Sequence, residues 1–172
     1  MAVTPAQIIE LLHLSRHPTC GFVRETYRSS LKLPESLVDR PSQGGRFLGS
    51  VLYFLVTPDA QIRLHRIPSD QVYHHYLGDP LDVLLLYLDG RAEVITVGAD
   101  LQAGMRPQLF IPGGTFHTSR LPSKASFALL GTSEWVSVEP PDVELGDPKV
   151  LMKQYPGLAH VIEAFTQNHT AC

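Results

Sequence analysis

The middle of the chain, from Gly21 to about Ala128, is a series of short β-type segments separated by turn-forming residues. Asp89-Gly90 stands between two apolar runs, which is the best short-range signal for a β-hairpin in this sequence. Many short strands at regular spacing, with glycine and proline in the turns, are typical of a β-sandwich or β-barrel. The pattern therefore predicts a mainly β architecture.

The predicted strands share apolar or alternating side chains and cover residues 22–27, 47–56, 61–67, 71–77, 81–88, 106–111, 115–121 and 125–132. Helical patterns occur only at the two ends. Thr4-Pro5-Ala6-Gln7 combines a capping residue, a proline at the first helical position and a capping box, which predicts a helix over residues 4–15. Further helices are expected over about 148–168, where apolar residues recur at helical spacing.

Size and composition limit the possible classes. A chain of 172 residues fits one domain, 1–172, with the barrel over about 21–138. The net charge is −3, so basic residues are not in excess and we expect no nucleic-acid partner. Apolar runs are too short to span a bilayer and no secretion signal is visible, so we expect a cytoplasmic protein without a membrane partner. Two cysteines do not make a disulfide framework, and Cys20 is expected to be inert.

Two segments carry polar residues in a familiar order. His65-Arg66-Ile67-Pro68-Ser69-Asp70-Gln71, with Gly78 beyond it, resembles the first motif of the cupin superfamily, and Pro112-Gly113-Gly114-Thr115-Phe116-His117 matches the second, Pro-x-Gly-x-x-His. The resemblance implies a cupin jelly-roll barrel, also called a double-stranded β-helix, with these side chains facing its interior. It implies His65 and His117 as the centre of the site.

A closer resemblance, to the cupin-5 group, extends over nearly the whole chain. It rests on four separated segments in the right order: 17–29, 62–66, 73–81 and 144–147. The group is a former domain of unknown function whose barrels commonly pair, so the resemblance implies a homodimer and no particular activity. The group usually has Glu at position 71 and Gln at position 117, where this chain has Gln71 and His117.

The metal-binding set of cupins is incomplete in this sequence. Ile67 stands in place of the second histidine and Gln71 in place of the glutamate, and an amide is a poor ligand for a divalent ion. Strand alternation places Gln71, Tyr73 and His75 on one face. His65, His75 and His117 would then converge as ligands for Fe, Mn, Ni or Zn.

Other polar residues are assigned by strand alternation. Arg63 lies two residues before His65, so we expect it to enter the barrel and anchor an anionic group; the alternative is an internal ion pair with Glu25. Glu25, Gln71 and His75 are further candidates for substrate binding. Tyr73 is a candidate acid or base, or else packs in the core.

Three functions follow from these residues. The first is a small-molecule enzyme of non-redox type, an isomerase, epimerase, dehydratase or lyase, with His65, His117 and Tyr73 in catalysis on a polar, anionic substrate. The second is a metal-dependent oxygenase. The third is a barrel that binds a small ligand without catalysis.

Overall fold

The computed structural model describes residues 3–38, 44–122 and 124–167. Its helices are α1 (Pro5–Leu11), α2 (Pro148–Gln154) and α3 (Ala159–Thr166). Its strands, in chain order, are β1 (Ser15–Arg16), β2 (Phe22–Arg28), β3 (Lys32–Leu33), β4 (Arg46–Phe47), β5 (Ser50–Val56), β6 (His65–Arg66), β7 (Asp70–Gly78), β8 (Leu81–Leu86), β9 (Ala92–Val97), β10 (Gln108–Ile111), β11 (Phe116–Arg120), β12 (Ala128–Trp135) and β13 (Glu144–Leu145). Within these ranges, no helix combines the length and the apolar character needed to cross a membrane.

Two antiparallel sheets face each other and form the barrel. One has six strands in the order β1-β2-β5-β12-β7-β10, and the other has five in the order β13-β6-β11-β8-β9. Inward side chains from both sheets meet in a buried apolar core that includes Val56, Ile62, Val83 and Leu130. The mainly β jelly-roll barrel with helices at both ends is confirmed.

The outer face of each sheet is covered by a helical region. Leu84 and Leu86 of β8 point away from the barrel and pack against Leu151 of α2 and Ile162 of α3. This explains why β8 is an almost continuous apolar run: both of its faces are buried, and each fully buried leucine contributes about 1.5–3 kcal/mol. The predicted C-terminal helical region of about 148–168 contains α2 and α3, and residue 168 lies outside the described residues.

Helix α1 covers the six-stranded sheet with Ile8, which packs in a cluster with Leu55 and Leu129. The predicted capping box is present, since the Thr4 side chain accepts from the Gln7 amide at 3.3 Å. The helix ends at Leu11 rather than at residue 15. The chain turns there, with His13 at φ 51°, and residues 15–16 join the sheet as β1.

The predicted strand 61–67 is mostly irregular. Only His65 and Arg66 pair in a sheet, and Ile62 forms an isolated bridge with Cys20. Ile62 points into the barrel, whereas Leu64 packs under the C-terminal helices. The strict alternation that was assumed through this segment is therefore broken just before His65.

Candidate functional site

The barrel contains a cavity of ≈ 210 Å³ between the two sheets. Its walls are formed by β2, β5, β6, β7 and β12 and by the segment 138–143 that follows β12. Pockets that take drug-sized ligands measure roughly 300–1,000 Å³. This cavity therefore has room for a small molecule only.

His65 and His117 lie at the base of the site, directly opposite each other on β6 and β11. Their ring centroids are 4.3 Å apart, and the rings are 4% and 0% exposed. His65 Nδ1 lies 2.7 Å from the Arg63 carbonyl oxygen, and His117 Nδ1 lies 3.2 Å from that of Thr115. Because a carbonyl only accepts, each Nδ1 carries the hydrogen and each Nε2 keeps its lone pair.

Burial keeps both imidazoles neutral. It lowers the pKa of His65 to about 4. It also lowers the pKa of His117 well below the ordinary histidine value, with the adjacent His65 as a second cause. The pKa values of both rings therefore lie below the near-neutral range that their predicted acid–base role requires. At neutral pH each offers a lone pair and no charge.

Gln71 and Tyr73 occupy the inner face of β7. The Gln71 amide donates to His117 Nε2 at 3.4 Å, and its carbonyl oxygen accepts from Thr132 at 3.4 Å. Gln71 thereby occupies the lone pair of His117, which itself does not line the cavity. Tyr73 is 3% exposed and packs against Phe54, and within the described ranges its hydroxyl has no hydrogen-bond partner. Burial raises the pKa of Tyr73 well above 10, so the hydroxyl is a neutral donor facing the cavity.

His75 does not join the other histidines. It lies four residues beyond Gln71 on β7, about 13 Å along the strand, and it does not line the cavity. Its Nε2 contacts the Asp79 carbonyl oxygen at 3.0 Å. The predicted convergence of His65, His75 and His117 is wrong. Residues on the same face of a strand can still lie far apart along the barrel axis.

Arg63 does not enter the barrel either. Its side chain is exposed, since the break in alternation before His65 reverses the face on which residue 63 lies. Glu25 does line the cavity, but its ion-pair partner is Arg28, at 2.6 Å. The predicted anion anchor and its alternative, the Arg63–Glu25 ion pair, are therefore both wrong.

A row of polar residues across the six-stranded sheet was not predicted. Arg28, Ser50, Glu134 and Gln71 lie directly opposite one another on β2, β5, β12 and β7, and we call them the polar row. A β-bulge between Glu25 and Tyr27 allows both Glu25 and Arg28 to face the cavity. The signal for Glu134 was available in the sequence, because Leu130, Thr132 and Glu134 alternate along β12.

The carboxyl group of Glu134 lines the cavity and has a perturbed pKa. Ser50 Oγ donates to Glu134 Oε2 at 2.7 Å, and the Val138 amide also favours its ionised form. No salt bridge reaches it from the described cations, since Arg28 pairs with Glu25 and Glu139 instead. Burial raises the pKa of Glu134 to about 7, with the Glu25 charge as a smaller cause.

Cys20 also lines the cavity, with its Sγ 3.4 Å from Thr19 Oγ1. Burial raises the pKa of the Cys20 thiol to about 11, so the thiol stays protonated at neutral pH. A nucleophilic cysteine needs the opposite shift. The position suits the inert role expected for this residue.

Known proteins share this barrel. The sequence model of a family described as "Cupin superfamily (DUF985)" matches residues 6–138. This chain belongs to the cupin superfamily. An uncharacterised protein of Saccharomyces cerevisiae is 29% identical to this cupin over 123 residues, and the match spans 67% of this chain and 60% of the yeast protein.

Solved structures give the same fold. A hypothetical protein from Leishmania major is 27% identical, with a TM-score of 0.83, over 95% of this cupin and 98% of that chain. A protein from Shewanella oneidensis is 26% identical, with a TM-score of 0.80 and the same coverage. Oxalate decarboxylase from Bacillus subtilis is 12% identical, with a TM-score of 0.51, over 87% of this cupin and 36% of that chain. At that identity the likeness shows the fold alone.

Cupins often bind metal ions, but the donor set of this one does not fit a divalent ion. Across the described residues, no group of three or more His, Cys, Asp or Glu side chains is placed to hold one. His65 Nε2 faces the cavity and His117 Nε2 is bonded by Gln71, and in the described part of the chain these two rings belong to no metal-type cluster that includes a carboxylate. Two neutral imidazoles and an amide supply no anionic ligand.

Proposed function

We propose that this cupin is a small-molecule enzyme of non-redox type, an isomerase, epimerase, dehydratase or lyase, that moves protons on a polar substrate inside the barrel. One observation carries the proposal. His65 Nε2, the Tyr73 hydroxyl and the Glu134 carboxyl all face one small cavity, and none of them is satisfied by an ion pair within the described chain. Unsatisfied acid–base groups in a cavity are typical of catalytic sites.

The two sheets supply complementary groups to a molecule held between them. His65 projects from the five-stranded sheet and presents an acceptor. Tyr73 and Glu134 project from the six-stranded sheet and present a neutral hydroxyl donor and an exchangeable proton. A carboxyl with a pKa of about 7 both gives and takes protons at neutral pH, which is the requirement for general acid–base catalysis. An acceptor on one side of a substrate and an exchangeable proton on the other suit epimerisation and elimination.

His117 and Gln71 act on this arrangement indirectly. Gln71 bonds both His117 and Thr132, so it fixes the side chains that form the floor of the cavity. His117 packs edge-on against the Tyr73 ring, with centroids 5.9 Å apart. We therefore assign His117 and Gln71 as positioning residues, and His65, Tyr73 and Glu134 as the groups that contact substrate.

The proposal is tested by exposing the purified protein to a mixed extract of small metabolites and following their loss and formation by mass spectrometry. We expect conversion without oxygen consumption that is insensitive to a chelator and is lost in Glu134→Gln and Tyr73→Phe. Conversion that needs oxygen or stops with chelator would support a metal-dependent oxygenase instead. Ligand capture without conversion would support a binding barrel.

We also propose that this cupin forms a homodimer. β1 pairs with β2 only at Phe22 and Val23, which leaves Arg24 to Arg28 as an edge with no further strand beside it among the described residues. Exposed edges are usually paired or covered, and two-fold pairing is the commonest solution. Light scattering during size-exclusion chromatography is expected to give twice the 19.0 kDa chain mass, and a monomer at micromolar concentration would refute the proposal.

A further inference from the structure

Among the described residues one guanidinium lines the cavity, that of Arg28, and each of its three nitrogens already donates to a protein carboxylate. Arg28 Nε lies 3.0 Å from each carboxylate oxygen of Glu25, Nη2 lies 2.6 Å from Glu25 Oε2, and Nη1 lies 2.6 Å from Glu139 Oε1. The guanidinium also lies over the Phe47 ring, 5.3 Å from its centroid. A ligand anion at Arg28 would lie beside two carboxylates that already neutralise the guanidinium, and these would repel it.

The other groups that line the cavity add no positive charge. His65 is neutral for the reason given above, and burial also lowers the pKa of His17 at the mouth. The lining contains three carboxyl groups, those of Glu25, Glu134 and Glu139, against the single guanidinium of Arg28. The lining is therefore net negative even while Glu134 holds its proton, and it becomes more negative when Glu134 ionises.

Two buried polar groups point to a ligand in the same space. Tyr73 and His65 are 3% and 4% exposed, and within the described chain neither the hydroxyl nor His65 Nε2 has a hydrogen-bond partner. Both residues line the cavity, so a molecule held there can take the place of water as the hydrogen-bond partner of each group. Together they offer one donor and one acceptor, which matches a hydroxyl group.

We propose that the cavity takes a small cationic ligand, an amine whose ammonium group pairs with Glu134 and whose hydroxyl group lies between Tyr73 and His65. The inference rests on the proposed function only in using the same cavity, because it concerns binding and not turnover. The sequence predicted an anionic substrate because Arg63 was expected inside the barrel. The ligand proposed here has the opposite charge.

Strand register gives the length of such a ligand. Glu134 and Thr132 are two residues apart on β12, and Thr132 lies directly opposite Tyr73 on β7. At ~3.3 Å per residue, about 7 Å separates the level of the carboxyl from the level of the hydroxyl. A chain of four carbons between an ammonium and a hydroxyl group spans this distance.

Three matched probes test the charge preference: 4-aminobutan-1-ol, 4-hydroxybutanoate and butane-1,4-diol, titrated into the full-length protein at pH 8 and followed by NMR. We expect the amine to bind about five- to tenfold more tightly than the diol, as one partly buried ion pair allows, and the carboxylate to bind more weakly than either. The Glu134→Gln variant should bind the amine and the diol equally. Glu163→Gln, which removes the same charge from the exposed surface of α3, should keep the preference.

A second readout does not depend on the variant. Amine binding should lower the pKa of Glu134 in the wild-type protein, observed through its labelled side-chain carboxyl carbon, while the diol should leave it nearly unchanged. The inference would be overturned if the carboxylate bound more tightly than the amine. It would also be overturned if the amine bound no more tightly than the diol at ligand concentrations up to about 50 mM. A preference that survives in a folded Glu134→Gln protein would also overturn it. Failure of the metabolite conversion assay with the amine preference intact would reject only the proposed catalysis.

Discussion

Replacing Glu134 by glutamine should make this cupin more stable at alkaline pH, although the substitution removes a residue of the candidate site. The folded protein raises the pKa of Glu134 from 4.5 to about 7, mainly by burial. Between these two values the unfolded chain has released the proton and the folded chain still holds it. Folding stability therefore falls as the pH rises through this window, and the full cost is present above pH 7.

The size of the effect follows from the width of the window. The interval from 4.5 to about 7 is roughly 2.5 pH units, and each is worth about 1.36 kcal/mol, so the largest cost is about 3 kcal/mol. Glutamine is close to isosteric and still accepts from Ser50, so it removes the ionisation and keeps the hydrogen bond. We expect the variant to be about 2–3 kcal/mol more stable than the wild type at pH 8 and nearly equal to it at pH 4.

Urea denaturation of both proteins at several pH values measures this difference directly. The difference in unfolding free energy should increase between pH 4.5 and about pH 7 and then level off. Glu163→Gln provides the control for a lost surface charge and should show no such increase. A difference between Glu134→Gln and the wild type that does not change with pH would refute the claim that this carboxyl is desolvated.

Other consequences are open to simple measurements. Tyr73→Phe should change the unfolding free energy by less than about 1 kcal/mol, since no protein hydrogen bond is lost, but should weaken binding of 4-aminobutan-1-ol. Arg28→Met removes the guanidinium that favours the Glu134 carboxylate, so NMR should show the pKa of Glu134 rising further above its ordinary value. Gly21→Ala should cost more than about 2 kcal/mol in thermal denaturation, because residue 21 has φ +69° and an added Cβ would collide with the Leu55 carbonyl oxygen. Gly90→Ala, at φ +87° with open space around it, should cost only about 1 kcal/mol.

The sequence predicted the barrel because a jelly roll depends on repeated local signals. Strand alternation, turn residues and the Asp89-Gly90 hairpin signal each act over a few residues, and errors in one do not spread to the next. The opposed placement of His65 and His117 followed from two motifs, and the structure pairs them directly. The fold and the base of the site were therefore within reach of sequence reasoning.

The charged part of the site could not be predicted in this way. Shifts of one residue in the strand alternation decide which charged side chains face the cavity. A bulge in β2 brings Arg28 to the same side as Glu25, and a break before His65 sends Arg63 outward. Each change depends on how neighbouring strands pair, which local composition does not encode. Glu134 was missed for a simpler reason: the predicted strand ended at Thr132, whereas β12 continues to Trp135.

Native mass spectrometry of untagged protein, purified without chelator, can decide whether this cavity works on a small molecule with the protein's own acid–base groups or with a bound metal ion. We expect the mass of the polypeptide, alone or with a small organic ligand, and an unchanged spectrum after treatment with a chelator. One Fe, Mn, Ni or Zn ion per chain, removed by the chelator and restored on reconstitution, would contradict the account.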